Sequence, residues 1–371
     1  MATAQKIYDG RDFYVPHFEV RIDGRDVKKD VLRDVTQVSY QDSMDQIDNF
    51  QITVFNEWLH EKRAFKYSDE DTFNPGQTLE LWMGYHTQRD DMRLMIKGQI
   101  TSLQPTFPEG GISTLTITGL NTLHALRKKQ ISDIYEEMTD SAIAEKIGKR
   151  LGIKMDTKPQ QNETQHQYVF QDNRYDIVFL MERARLNGYE LYITEDSDSR
   201  ESILFFGISE TPQAAAYKLT YGNTLRHFNP TLTTARQVDK VTVRGWDAKK
   251  KKEISATVSR SELTTKSFKD SADQAMITKA VSDREEVITN KPVQSEQEAK
   301  QIAKRILEDI AKETVTADGS TIGLPDLRAG SMLEIDGLGR RFSGQYFVQS
   351  TTHTIGDSGY STEFTCRLEE S

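Results

Sequence analysis

The residue types able to do chemistry are sparse in this sequence, and most miss the spacing that chemistry needs. His60-Glu61 opens like a zinc-protease helix motif, but the second histidine of that motif is replaced by Ala64. His353 and Cys366 fall on neighbouring terminal strands and could meet. A Cys–His nucleophile needs an exposed thiolate and an oxyanion site, whereas a strand cysteine is ordinarily a small buried hydrophobe. His353 therefore reads as a packing or subunit-contact residue. Glu136 and Glu137, just before a helix, are the adjacent carboxylates worth testing for glycoside hydrolysis, which takes two carboxylates across a cleft. Neighbours on a helix do not face each other, which weakens that idea. Residues 195–202, EDSDSRES, lack the glycine and final glutamate of a calcium loop and read as a solvated hairpin tip. Gly337-Leu338-Gly339-Arg340-Arg341 lacks the third glycine and the helix of a dinucleotide fingerprint. Its arginines read equally as lumen or partner contacts and as a solvated turn. The lysines Lys249–Lys252 read as a solvated or interface turn in preference to a DNA contact. The expectation is a protein with no catalytic, cofactor or metal residues, and not an enzyme. The alternatives kept beside it are a cell-wall hydrolase, and a carbohydrate- or receptor-binding module marked by exposed aromatics.

The elements that would position these residues are mostly strands. HFEVRIDGRDV alternates apolar and polar side chains around Asp23-Gly24, a hairpin-turn pair. VTQVSY, NFQITVFNEW, TLELWMGY, LMIKGQITSLQP and GGISTLTITGL continue the pattern, with Asn74-Pro75-Gly76 as a turn. After Gly119 the period changes. Ile143, Ile147 and Leu151 mark a helix capped at Thr139 or Asp140 and stopped at Gly152. Ile177, Leu180, Met181 and Ala184 mark a second helix, ending at Asn187-Gly188. YELYIT and SILFFGIS then read as strands. DKVTVRGWD and EISATV form a hairpin, residues 260–312 are polar and partly helical, and Ser295 with Glu298 makes a capping box before Ala299, Ile302, Ala303, Ile306 and Ile310. The last sixty or so residues return to strands. The fold expected is α+β and mainly β: two related small β-barrels flanking a small α/β domain, with a partly helical insertion before the last strands. The divisions are residues 1–125 for the first tube-like barrel, 126–225 for the α/β domain, and 226–371 for the second barrel, with its insertion at about 260–312.

Composition narrows the class. The 371 residues carry a net charge of −9 and a single cysteine, which excludes an intrachain disulfide framework and a multi-cysteine zinc site. The acidic balance argues against a general nucleic-acid coat. No apolar window approaches the ~18 residues of a membrane span, so no membrane anchor is expected. The start has no apolar signal region. Hydrophobic residues make up 36%; with glycine counted the share is about 42%, below the globular norm of roughly 45–50%.

Self-comparison reveals an internal repeat. Pro75-Gly76-Gln77-Thr78-Leu79-Glu80-Leu81 lies beside Ala329-Gly330-Ser331-Met332-Leu333-Glu334-Ile335. Gly98-Gln99-Ile100 lies beside Gly344-Gln345-Tyr346, and Gly111-Ile112-Ser113-Thr114 beside Gly359-Tyr360-Ser361-Thr362. The order is kept, as expected of one small barrel present twice. Gly76 and Gly330 suit turns into strands, and Gly98 and Gly344 suit a bulge or sharp bend. Two similar barrels in each chain of a trimer would make a ring of six quasi-equivalent barrels.

The sequence also resembles a known family. Gly323-Leu324-Pro325, Leu327, Ala329-Gly330, Gly337-Leu338-Gly339, Phe342-Ser343-Gly344-Gln345-Tyr346-Phe347-Val348, His353-Thr354-Ile355 and Gly359-Tyr360-Ser361-Thr362-Glu363-Phe364 are similar to the late control D family of phage tail proteins. So are Val243-Arg244-Gly245-Trp246-Asp247 and Pro75-Gly76 with Gly84-Tyr85. The resemblance implies a baseplate hub of a contractile phage tail or injection system. Such a hub is a homotrimeric ring that adapts a threefold spike to a sixfold tail tube and forms part of a channel. It implies as partners a separate trimeric spike, a hexameric tube protein, other baseplate proteins, and DNA or effector cargo in the channel. The implied location is the tail baseplate of a virion or injection particle assembled in the bacterial cytoplasm. Type VI secretion spikes begin with a similar hub and continue into a needle. Here the sequence stops at Ser371, so the spike is expected to be a separate chain.

Overall fold

The computed structural model describes residues 5–6, 13, 15–44, 46–69, 72–85, 92–161, 163–187, 189–195, 202–208, 217–247, 251–263, 271–289, 293 and 295–369. In chain order the first elements are β1 (Gln5–Lys6), β2 (Pro16–Ile22), β3 (Arg25–Asp26), α1 (Lys29–Arg33), β4 (Val35–Ser43), β5 (Asn49–Phe55), β6 (Trp58–Leu59), β7 (Ala64–Phe65), β8 (Thr78–Tyr85), β9 (Arg93–Thr106) and β10 (Thr114–Asn121). Then come α2 (Thr122–Ala125), β11 (Gln130–Met138), α3 (Asp140–Leu151), β12 (Lys154–Lys158), β13 (His166–Tyr175), α4 (Asp176–Asn187), β14 (Glu190–Glu195) and β15 (Ser202–Gly207). The last are β16 (Tyr217–Thr220), β17 (Leu225–Leu232), β18 (Lys240–Asp247), β19 (Lys252–Ser259), α5 (Ser271–Ala280), β20 (Glu285–Ile288), α6 (Glu296–Lys312), β21 (Val315–Ile322), β22 (Met332–Asp336), α7 (Gly339–Phe342), β23 (Gly344–Gly356) and β24 (Gly359–Leu368). Contacts divide the chain into two units. One is Phe13–Thr211 with His353–Tyr360; the other is Met1–Asp12, Pro212–Thr352 and Ser361–Ser371.

The fold is α+β and mainly β. In the first unit the sheet runs β4-β5-β10-β9-β8-β2-β3; in the second, β17-β21-β24-β23-β22-β16-β1. Numbered along the chain, the first five strands of each sheet lie in the order one, two, five, four, three. The same path taken twice is the structural form of the repeat. Local bonds agree. Gly76 N–H donates to Ile100 O at 2.8 Å and Ile100 N–H to Gln77 O at 2.9 Å, while Gly330 N–H donates to Val348 O at 2.8 Å and Val348 N–H to Ser331 O at 2.9 Å. Both glycines sit at positive φ, +97° and +87°, where a side chain is strained. A register shift interrupts strand one in each copy, between Val35 and Gln37 and between Leu225 and His227.

The registers also correct two of the sequence alignments. Leu79 pairs with Gly98 and Leu333 with Tyr346, so Gly98 corresponds to Tyr346, two residues from Gly344. Phe55 pairs with Thr114 and Ile322 with Ser361, so the last match slips by one residue. Glycine and polar matches between strands tolerate such slips; the turn bonds do not. Nor is Gly98 at a bulge: a Cβ there would lie 2.2 Å from Leu120 O, so close backbone approach dictates the glycine. Barrel closure is not found. Among the described residues no pairing joins the two ends of either sheet.

The first sheet buries Val38, Phe50, Ile52, Val54, Leu79, Leu81, Leu115 and Ile117, joined by Ile355 and Tyr360 from the turn end of β23–β24. Asp23 and Gly24 both take positive φ, as the tight hairpin turn between β2 and β3 requires.

In the α/β segment, Thr139 Oγ1 accepts from Ala142 N–H at 3.3 Å and Gly152 closes α3 at φ 74°. Helices α3 and α4 pack with the sheet β12-β15-β14 and the ribbon β11–β13. The stop expected at Asn187-Gly188 lies partly outside the described residues, since Gly188 is not among them. Between strands one and two of the second copy lies a further sheet, β19-β18-β20, backed by α6. Ser295 Oγ accepts from Glu298 N–H at 3.1 Å. The buried stripe of α6 is Ala299, Ala303, Leu307 and Ala311, with Ile302, Ile306 and Ile310 half-buried beside it. Small residues let the helix approach the strands; the isoleucines seal the margin.

Candidate interaction surfaces

The candidates for chemistry are scattered. His60 lies in a turn between β6 and β7, not in the helix a zinc protease needs. Glu136 and Glu137 are successive and exposed on strand β11, not on a helix, and Glu137 takes a positive φ. Cys366 is fully buried opposite Ala317, and burial pushes its thiol well above the usual range. His353 is buried, with Nδ1 3.0 Å from Tyr360 Oη and its ring centroid 6.0 Å from that of Tyr40. Arg340 and Arg341 open the short helix α7 and meet Asp273 of α5: Arg341 Nη2 lies 2.9 Å and Arg340 Nη2 3.5 Å from its carboxylate. Residues 196–201 and Lys249 and Lys250 lie outside the described residues.

A serine–histidine–aspartate contact escaped the sequence because its members sit on two strands. Ser320 Oγ lies 2.7 Å from His227 Nδ1, and His227 Nε2 lies 3.6 Å from Asp318 Oδ2. The ring is used in the opposite sense to a hydrolase triad, in which Nε2 meets the serine. His227 and Asp318 are exposed to water, where such a pair gains little.

The strongest electrostatics hold α3 against α4. Asp140, at the start of α3, accepts from Arg183 Nη2 at 2.9 Å and Asn187 Nδ2 at 2.7 Å, both late in α4, and also from Arg183 Nε. His166 Nε2 lies 2.8 Å from the same carboxylate. Burial pushes Asp140 up, but the hydrogen bonds and charge of His166 and Arg183 outweigh it and bring it down to about 2. Asp176, at the start of α4, accepts from Arg150 Nε at 2.9 Å, late in α3. Arg150 also donates to Tyr135 Oη at 2.9 Å and Asp133 Oδ2 at 2.7 Å. Each helix thus puts an acid at its positive end and a base near its negative end. The partners cross, so the two helices are clamped antiparallel. Every member of these clusters has a partner, as a scaffold needs.

Several of the residues singled out from sequence lie at turns or in packed positions. Pro75 and Gly76 make the turn into β8. Gly111 (φ +113°) and Gly359 (φ +92°) stand at the turns before β10 and β24. Tyr346 is buried and donates to Phe342 O at 2.7 Å. A Cβ on Gly245 would strike Val293, so this glycine admits the segment leading into α6. Asp247 ends β18 opposite Lys252, and Gly330 and Gly344 flank β22. Tyr360 joins the first sheet's core.

Several large apolar side chains are exposed. Trp246 is 62% exposed on β18. On the ribbon β11–β13, Ile134 and Phe170 face each other across the strands, with Tyr168 on the same side. At the end of the β9–β10 hairpin, Phe107 and Ile112 are 54% and 65% exposed. The Phe107 ring lies tilted against Phe65 at 4.6 Å between centroids, and Phe65 meets Trp58 edge-on at 4.9 Å.

The family model for the Alg8 N-terminal domain matches residues 13–357. The chain belongs to that family. The late control D pattern read from the sequence is not the family that matches. No curated protein sequence matches the chain. Among solved structures, it is similar to the 43 kDa tail protein of prophage MuSo2 from Shewanella oneidensis, with 15% identity and a TM-score of 0.69, covering 95% of this chain and 98% of that one. It is equally similar to a tail protein from Neisseria meningitidis, with 12% identity and a TM-score of 0.69 over 95% and 97% of the two chains. An E. coli type VI secretion component, described as similar to the T4 tail proteins gp27 and gp5, matches with 12% identity and a TM-score of 0.55 over 95% and 77%. The Alg8 N-terminal domain family member thus shares its fold with phage tail proteins.

Proposed function

We propose that this protein is a structural, non-enzymatic baseplate hub of a contractile tail or injection system, of the kind the late control D resemblance implies. The observation that carries the proposal is the five-strand path taken twice within one chain. Three copies would place six similar sheets around one axis and so join a threefold spike to a sixfold tube. Closed cyclic symmetry is the common outcome for homo-oligomers. The shared fold with tail proteins supports the reading, and so do side-chain clusters whose members are paired among themselves. The partners are a second and third copy of the chain, a spike trimer, the tube hexamer and other baseplate proteins. DNA or effector would cross the channel, and the particle would assemble in the bacterial cytoplasm. Native mass spectrometry and electron microscopy, with and without the spike protein, test this. A threefold ring is expected; a strict monomer in both conditions overturns it. Peptidoglycan digestion by the purified chain would overturn the non-enzymatic part.

A further inference from the structure

The repeat lets one contact inside the chain predict another between chains. In the second copy, the first half of β23 pairs with β22, and its far end lies along β4 of the first copy. There His353 stands beside Tyr40, and a Cβ on Gly356 would lie 3.5 Å from Thr36 O and 3.9 Å from Gln37 Cγ. Ile355 and Tyr360 from this hairpin end are buried in the first sheet's core. The strand that matches β23 is β9, and the strand that matches β4 is β17. Among the described residues, the far half of β9 pairs only with β10, and β17 forms a ladder only with β21, apart from one bridge from Leu225 to Tyr221. Residues 101–106 of β9 are largely exposed. Phe107 and Ile112 occupy, to within a residue, the places of Ile355 and Tyr360, yet stand in solvent.

We propose that the β9–β10 hairpin end of one copy adds onto the open edge of β17 in a second copy, repeating between chains the contact that β23–β24 makes with β4 within a chain. This rests on the ring reading above and names its joint. The contact is heterologous, head to tail, so it closes into a ring when the rotation allows. Contacts within and between chains then alternate around that ring.

Both open edges carry a proline. Pro105 and Pro230 hold, to within a residue, the places of His353 and Tyr40. Thr233 N–H donates to Thr314 O, so strand alternation turns the Pro230 nitrogen away from β21, toward the open edge. Edge prolines limit indiscriminate strand addition. They leave a short ladder whose specificity comes from Phe107 and Ile112. Glu109 on the hairpin and Arg226 on β17 are exposed and of opposite charge.

Paired cysteines test the joint. Pro108→Cys with His227→Cys sits at the places of Gly356 and Gln37, whose side chain is the one that approaches Gly356, and the native Cys366 is buried. Mild oxidation of the full chain should give covalent oligomers on denaturing gels. The control pair Gln37→Cys with Gly356→Cys should crosslink within the monomer. Phe107→Asp with Ile112→Asp should abolish the oligomer while leaving a folded monomer whose thermal transition falls only slightly, through the lost Phe65 contact. A ring that forms without the interchain crosslink, or survives the double aspartate, overturns this joint and leaves the hub reading standing. No oligomer at any concentration, with or without the spike, overturns both.

Discussion

The two copies of the repeat follow the same path but fill it differently. In the first, Phe50 faces Gly119 and Ile52 faces Ile117 across strands two and five; in the second, Ala317 faces Cys366 and Gly319 faces Phe364. A large residue against none has become two small ones, and two medium residues have become none against a large one. The sixth strand differs too, since β2 runs antiparallel to β8 while β16 runs parallel to β22. Register and turn bonds are therefore the shared constraint. Side-chain volume is settled pair by pair, and insertions go where a connection can lengthen without disturbing the ladder.

Four experiments probe how far the likeness between the copies extends. Phe50→Ala should empty the first sheet's core and cost about 3–5 kcal/mol, whereas Ala317→Gly at the matching position should cost about 1 kcal/mol; calorimetry of each variant tells them apart, and equal losses would sink the register match. Gly98→Ala should cost about 3 kcal/mol, because its Cβ meets a backbone carbonyl that cannot swing aside. A wild-type melting temperature there would mean that strands β9 and β10 do not approach as closely as described.

The third uses the α3–α4 clamp, which belongs to neither copy. Asp140 is held below its ordinary value, so its contribution is fully present above about pH 4 and fades as pH falls towards 2. The loss should amount to about 2 kcal/mol. Hydrogen exchange should show α3 and α4 opening in that window while both sheets stay protected; simultaneous opening would argue against separate behaviour. The smallest effect is expected from Tyr346→Phe, which removes one hydrogen bond to Phe342 O and should cost about 1 kcal/mol in chemical denaturation.

Much of this was legible in the sequence. Asp23-Gly24, Thr139 with Gly152, and Ser295 with Glu298 each specify a local geometry through a few neighbouring atoms, and each forms as its chemistry dictates. The repeat was legible at Gly76 and Gly330, where a positive φ leaves little choice. It slipped along the strands, where alternation fixes the face of a residue but not its partner. On α6 the expected Ala299 and Ala303 are buried and Ile302, Ile306 and Ile310 pack beside them; Leu307 and Ala311 complete the stripe, since close packing selects the smaller residues for its centre. The α3–α4 clamp and the Ser320–His227 contact bring together residues far apart in the chain, and no local pattern announces such pairs.

The burial of Ile355 and Tyr360 in the first sheet has a further consequence during synthesis. The first sheet's core includes Ile355 and Tyr360, which leave the ribosome long after β2 through β10. A nascent or truncated chain can lay down β2 through β10 but cannot seal them. A product that stops short of Ile355 therefore lacks the covered β4 edge of the mature protein.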